Sequence, residues 1–238
     1  MSAKIRHQPT QRIGILVFEE FEPIDVWGFV ESFAIARFMD QGYSDPSPYP
    51  FEIALISNES RPAGVSGSPS PVKSMNGPRV MPDLFREEAL GQPFDVLMIP
   101  GGWGTRLLLN ISSPEAEAAK TGLLQWVREM DARVGIMSSV CTGAAILAAS
   151  GLLDGKPAAT NHEAFAWVAS FGPRVLWDNV SRWVDSGHHV TSAGVSAGMD
   201  MGFYLVQRLA GRAVAENAVR SAEYEWTNTP SVRPALII

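Results

Sequence analysis

Ala132-Arg-Val-Gly-Ile-Met-Ser-Ser-Val-Cys141-Thr-Gly-Ala-Ala-Ile-Leu-Ala-Ala-Ser-Gly151 is the stretch on which the fold of this chain turns. Val134 to Met137 reads as a short buried strand, and Thr142 to Ala149 as a helix of small and aliphatic residues. Cys141 falls on the turn between them. A side chain on such a turn stands at the edge of a sheet beside a helix N-terminus, where free N–H groups and the helix dipole favour a thiolate. Cys141 is also the only cysteine in the chain. A lone free cysteine in most settings packs as a small hydrophobe. The Cys-Thr-Gly turn favours a nucleophile instead, and it predicts a lowered thiol pKa and a strained backbone.

The alternation of strand and helix extends outward from this turn. Ile13-Gly-Ile-Leu-Val-Phe18 is a continuous apolar run, as for a strand buried on both faces; Phe51-Glu-Ile-Ala-Leu-Ile-Ser57 reads as a second strand and Asp95-Val-Leu-Met-Ile99 as a third, buried one. Ile24 to Phe38 has helical spacing. Pro114 to Asp131 reads as a helix capped by Ser113, with proline first and acids in the first turn. Ser60 to Pro82, rich in Gly, Pro and Ser, is expected to be loop with at most a short edge hairpin. After Cys141 come a strand at Ala158–Thr160 and a helix from Glu163 to Phe171, stopped by Gly172-Pro173. Strands Val180–Asp185 and His189–Ser192 flank a Ser186-Gly187 turn. Helices follow at Val195–Leu209, ended by Gly211, and at Arg212–Trp226. This order predicts an α/β three-layer sandwich, with a central mostly parallel sheet and helices on both faces, flavodoxin-like. One domain is expected over residues 12–238 after a flexible segment over residues 1–11. Asp95–Ile99 and Val134–Met137 are expected to be neighbours in the sheet, and sites in such folds lie at the carboxyl ends of the strands.

Composition narrows the function classes. The chain has 238 residues, 46% hydrophobic and 18% charged, with a net charge of −6 and no clustered basic stretch, so no nucleic-acid partner is expected. A single cysteine excludes an internal disulfide framework and suits a reducing compartment. The start of the chain to Arg12 is polar, unlike a signal peptide, and no apolar run approaches the roughly 18 residues of a membrane span. A cytoplasmic protein with no membrane partner is expected.

The candidate site residues gather at the predicted carboxyl edge. Gly101 and Gly102 follow a strand end, where their N–H groups, with that of Thr142, are expected to form an oxyanion-type pocket beside Cys141. Asp25 opens the first helix; it either caps that helix or stands beside the thiol to exchange a proton. Glu19, Glu20 and Glu22 compete with it but read as mostly solvated. His162 either activates the thiol or serves as a helix-start residue. Trp27 and Trp103 flank the site and are candidates for an apolar pocket. His188 and His189 are expected to be exposed at a hairpin turn, and His7 lies in the flexible terminus. The four histidines lack metal spacing, so no metal is expected. No glycine-rich nucleotide fingerprint is present, and no cofactor is expected.

These residues resemble a known family. The Ile13–Phe18 strand, Asp25-x-x-Gly28, Pro100-Gly-Gly102, Ser139-Val-Cys-Thr-Gly143, Gly151-Leu-Leu-Asp-Gly155, Ala159-Thr-Asn-His162 and Gly194-Val-Ser-Ala-Gly-Met-Asp200 are similar to the ThiJ/PfpI superfamily, of class I glutamine amidotransferase-like fold. The resemblance runs from about Arg12 to Gly211 and is greatest to the isocyanide hydratase-like branch. That branch adds water to an isocyanide and yields an N-substituted formamide. The resemblance implies Cys141 as nucleophile, Asp25 as the acid that holds and transfers protons, and Thr142 as a neighbouring hydrogen-bond donor. It also implies a homodimer, with the first helix, Trp27 and Phe38 as the expected contact. The protease-like branch has His directly after its cysteine, where this chain has Thr142. Phe29 replaces a proline usual in the hydratase-like first helix, and Glu163 stands where relatives often carry an aromatic. A redox sensor oxidised at the thiol, or a ligand-binding domain without turnover, are the other readings.

Overall fold

Runs that are apolar at every position are satisfied only between two covering layers, and they form the centre of this protein. The computed structural model describes residues 8–230 apart from 43, 46, 47, 62, 63, 65 and 111. In chain order the elements are β1 (Gln11–Val17), α1 (Pro23–Ala34), β2 (Phe51–Ser57), β3 (Val72–Lys73), β4 (Arg79–Val80), α2 (Arg86–Leu90), β5 (Val96–Ile99), α3 (Gly104–Leu109), α4 (Pro114–Asp131), β6 (Ile136–Ser139), α5 (Ala144–Ala149), β7 (Pro157–Ala159), α6 (Phe165–Ala169), β8 (Leu176–Asp178), β9 (Trp183–Asp185), β10 (His189–Ser192), α7 (Ala197–Ala210) and α8 (Arg212–Ser221). The main sheet has the order β2-β1-β5-β6-β10-β9. All pairs are parallel except β10 with β9, which form an antiparallel edge hairpin. Val96 pairs with Ile136 and Ile99 with Ser139, so the two strands expected to be neighbours are neighbours. Helices α1, α7 and α8 pack together on one face, and α2 to α6 on the other. Ile13, Ile15, Val96, Leu97, Met98 and Met137 are fully buried between the layers.

Local signals decide several boundaries. Ser113 Oγ accepts from the Ala116 N–H at 3.2 Å with Pro114 at the first position, which starts α4 at the predicted residue. Other limits shift. α1 stops at Ala34, and Phe38 lies beyond it, buried. β6 begins at Ile136 rather than Val134, because the Val134 N–H still donates to the Met130 carbonyl at the end of α4. α8 ends at Ser221, short of Trp226. The β3–β4 hairpin falls within the stretch expected to be loop, while α2, α3 and β8 were not anticipated; each is too short to register as a periodicity. Residues 1–7 of the expected flexible segment lie outside the described residues, as does the tail from 231 to 238. Among the described residues no helix is long and apolar enough to cross a membrane.

The sheet order reverses between β1 and β5, which places a crevice above their carboxyl ends. The loop after β1 carries Glu19 to Glu22, the loop after β5 carries Gly101 and Gly102, and the next strand, β6, leads to Cys141.

Candidate active site

Cys141 has a φ of 56°, in the left-handed region that costs a non-glycine residue about 1–3 kcal/mol. Two long-range bonds hold it there. Its N–H donates to the Ala193 carbonyl at 2.9 Å, and its carbonyl accepts the Thr160 hydroxyl at 2.9 Å. Cys-Thr-Gly forms a single tight 3-10 turn, and α5 begins only at Ala144. Gly143 packs against the end of β5. A Cβ there would collide with the Ile99 carbonyl and come within 2.8 Å of that of Pro100. Backbone oxygens cannot swing aside, so Gly143→Ala is expected to destabilise the protein by about 1–3 kcal/mol. At roughly 2–4 °C per kcal/mol for a chain of this size, thermal denaturation will register it.

The double glycine does a different task from the one expected of it. The Gly101 N–H donates to Asp25 Oδ2 at 2.7 Å, and the Gly102 N–H donates to Thr142 Oγ1 at 3.1 Å. Both donors are therefore occupied, and they form no oxyanion pocket. They position the acid and the threonine. The Thr105 hydroxyl, 2.8 Å from the Gly102 carbonyl and 3.0 Å from Thr142 Oγ1, completes this lock. A Cβ at Gly101 would sit 2.6 Å from the Thr142 nitrogen and 2.8 Å from the Cys141 Cβ. Gly102 has a φ of 112° and lies against the backbone of Glu20 to Glu22. Only glycine lets these three loops approach so closely.

Asp25 is fully buried and is not a helix cap; Glu22 occupies the cap position. Its Oδ2 is anchored on Gly101, while its Oδ1 is buried without a hydrogen-bond partner. Burial raises the Asp25 carboxyl well above the ordinary carboxylate range; the Gly101 bond opposes the rise and the charge of Glu22 adds to it. Burial likewise pushes the Cys141 thiol up to about 12, with the charge of Asp25 the second cause. The Thr142 N–H and the Asn161 side chain favour the thiolate but are outweighed. The expected lowering of the thiol pKa is therefore reversed. A short helix beyond a 3-10 turn offers a weak field, and the buried acid opposes it. Alkylation of Cys141 against pH should have its midpoint above the roughly 8.5 of free cysteine. Asp25→Asn, which removes the second cause, should move that midpoint down.

The cavity beside the thiol has a volume of about 340 Å³, and Glu22, Trp103, Arg106, Cys141, Thr142 and Asn161 are among its walls. Trp103 thus lines the site as expected, with the Arg106 guanidinium 5.6 Å from its ring centroid and 4.1 Å from that of Trp167. Trp27 does not line it; it projects outward from α1, 42% exposed. His162 lines an adjacent cavity with Arg182 and Ser196, its charge acts on Asp178, and it is not among the groups that shift the Cys141 thiol. Its neighbour Asn161 reaches the sulfur instead. The Ala164 N–H donates to Asn161 Oδ1 at 2.9 Å, which turns the amide's N–H groups toward Cys141. Glu22, read as solvated, is a half-buried wall of the site, and burial raises its carboxyl too. Neither Asn161 nor Glu22 carries a signal that separates it from its neighbours in the sequence. A larger cavity of about 410 Å³ lies beside α3, but neither Cys141 nor Asp25 reaches it.

His189 corrects another expectation. It is 3% exposed, not at the surface. With His188 and Asp131 it forms the one three-residue group of metal-ligating side chains found among the described residues, against the reading that no such grouping exists.

A model of the DJ-1/PfpI family matches residues 11–208. The chain is 32% identical over 173 residues to isonitrile hydratase of Pseudomonas putida, covering 71% of this chain and 70% of that one. It is 27% identical over 144 residues to the glutathione-independent glyoxalase DJR-1.2 of Caenorhabditis elegans, covering 60% of this chain and 70% of that one. The crystal structure of a ThiJ/PfpI family protein from Pseudomonas syringae superposes with a TM-score of 0.71 at 25% identity, covering 96% of this chain and 78% of that one.

Proposed function

The chain belongs to the DJ-1/PfpI family, and from that premise we propose that it is a cysteine-dependent enzyme that hydrates an isocyanide to an N-substituted formamide. The observation that carries this reading is Asp25 Oδ1, a buried carboxyl oxygen without a partner on an acid whose charge acts on the only thiol. Addition to an isocyanide consumes a proton at carbon. The sulfur of Cys141 bonds to the terminal carbon, the thiol proton passes to Asp25, and Asp25 delivers a proton to that carbon, leaving a thioimidate, R–N=CH–S–Cys. Asp25 then protonates the nitrogen and, ionised by that transfer, takes a proton from water as it adds at the same carbon, giving R–NH–CH(OH)–S–Cys. The C–S bond breaks, the sulfur regains a proton, and R–NH–CHO leaves. A site whose thiol and acid both favour their neutral forms holds the proton that the first step requires. The Thr142 N–H and the Asn161 amide support the sulfur as its proton departs.

The relative at 32% identity supports the substrate class. The raised thiol speaks against a redox sensor, which needs a thiolate at neutral pH. The test is absorbance of alkyl and aryl isocyanides with purified protein. Consumption with formation of the formamide is expected, and no turnover across the panel would refute the proposal. We also propose a homodimer through α1, where Ile24 and Trp27 are exposed at 43% and 42%. Phe38 is buried and takes no part. Light scattering should give the mass of two chains, and a monomer mass removes the dimer. A lone reduced thiol suits the cytoplasm, to which we assign the protein.

A further inference from the structure

Asp131, His188 and His189 meet at the edge of the sheet opposite Cys141. Asp131 ends α4, and His189 opens β10, whose other end leads to Ala193 and the Cys141 N–H. At about 3.3 Å per residue the strand separates the two places by roughly 13 Å. Successive strand residues point to opposite faces, but His188 lies in the turn before β10, so its ring folds round. The two imidazole centroids are 4.8 Å apart, edge to face at 87°. Asp131 Oδ1 lies 2.9 Å from His188 Nε2 and 2.9 Å from His189 Nε2.

The proton inventory leaves this cluster incomplete. His188 Nδ1 is 3.0 Å from the Gly135 carbonyl, which only accepts, so Nδ1 carries the ring proton. Its Nε2 faces Asp131 Oδ1 in a hydrogen bond and is the ring atom left to bind a metal once the proton of that bond is displaced. His189 Nε2 is buried and has no hydrogen-bond partner, although Asp131 Oδ1 is so near. That oxygen stands beside the Nε2 direction rather than along it. That offset leaves the His189 Nε2 position open to an ion, while His188 Nε2 is aligned with the same oxygen and exchanges that hydrogen bond for the ion on binding. Metal–nitrogen bonds of about 2.0–2.1 Å set neighbouring ligands roughly 3.0–3.4 Å apart; the two Asp131–histidine spacings of 2.9 Å are close to this, and all three ligand atoms lie within 4.8 Å of one another.

We infer that Asp131 Oδ1, His188 Nε2 and His189 Nε2 form a binding site for a divalent transition-metal ion of the zinc type, with water completing the shell. The Gly135 carbonyl supplies the outer partner that metal-bound imidazoles have. Lys156 opposes the ion. Its Nζ lies 3.2 Å from His189 Nδ1 and 2.6 Å from the Leu152 carbonyl. Binding through Nε2 places the His189 proton on Nδ1, facing that ammonium. Lys156 is only half-buried and can turn away, so it weakens the site without closing it. The bound ion ties the end of α4 to the start of β10. Adjacent histidines joined by a distant aspartate have no repeat spacing, which is why the sequence predicts no metal.

The test uses untagged, chelator-stripped protein carrying Cys141→Ser, so that the thiol cannot be the ligand. Zn2+ is titrated by calorimetry and Co2+ by visible absorption. One equivalent of each is expected to bind, and a hundredfold excess of Zn2+ over Kd should raise the melting temperature by about 5 °C or more. Asp131→Asn and His188→Gln should each abolish binding. His188 is the more exposed of the two histidines, and His188→Gln decides the matter if Asp131→Asn fails to fold by circular dichroism. Lys156→Met should tighten binding roughly tenfold. No binding up to about 1 mM metal, or binding that survives His188→Gln, overturns the proposal. These readouts are independent of isocyanide turnover.

Discussion

Cys141→Ala is expected to reduce isocyanide hydration to the uncatalysed level. The methyl group cannot form the C–S bond, and among the described residues that line the cavity no other side chain carries a thiol. The fold should persist, because the positive φ of 56° is imposed from outside the side chain, through the Ala193 carbonyl and the Thr160 hydroxyl. Alanine tolerates that φ no better than cysteine, so the melting temperature should stay near that of the wild type while turnover disappears. Activity measured beside circular dichroism separates the two effects. Residual turnover within tenfold of wild type would mean that water attacks without a covalent intermediate.

Asp25→Asn should lower the rate by about two to four powers of ten, the usual worth of general acid–base catalysis. An asparagine oxygen can still accept the Gly101 N–H, so the loop after β5 keeps its anchor. What is lost is a group able to give up and regain a proton at the unpartnered oxygen. The pH profile carries the sign. The Asp25 carboxyl is raised by burial, so it remains protonated to a pH above the ordinary carboxylate range and ionises only as pH climbs past that raised value. Proton delivery to carbon should therefore fade on the alkaline side in the wild type, with no such limb in Asp25→Asn. In the same variant the thiol should alkylate with a lower midpoint, since the charge that helps raise it is gone. Unchanged turnover in Asp25→Asn would remove this acid from the chemistry.

The particular elements divide cleanly by the range of the forces that make them. The continuous apolar runs within β1 and β5, and the serine and proline that start α4, announce themselves because burial on both faces and helix capping act within a few residues. The Cys-Thr-Gly turn is legible for the same reason. The raised thiol is not. Its pKa reflects depth and an aspartate more than a hundred positions earlier in the chain, and both outweigh the local turn. His162 and Asn161 stand side by side in the sequence with equal claims. The choice between them falls to the direction each side chain takes after β7, fixed for Asn161 by the Ala164 N–H. Gly101 and Gly102 were legible as a close approach but not in their partners, since hydrogen bonds to Asp25 and Thr142 exist only once three loops converge.

Sequence alone thus determined the α/β alternation, the neighbouring strands and the position of the Cys-Thr-Gly turn, all of which follow from short-range patterning and burial. Tertiary structure alone decided which donors face the sulfur, which acids are buried, that Trp27 faces outward, and that Asp131 meets two histidines at the far edge of the sheet. Electrostatics and hydrogen-bond direction depend on distances between segments remote in the chain, and those distances are set only when the layers pack.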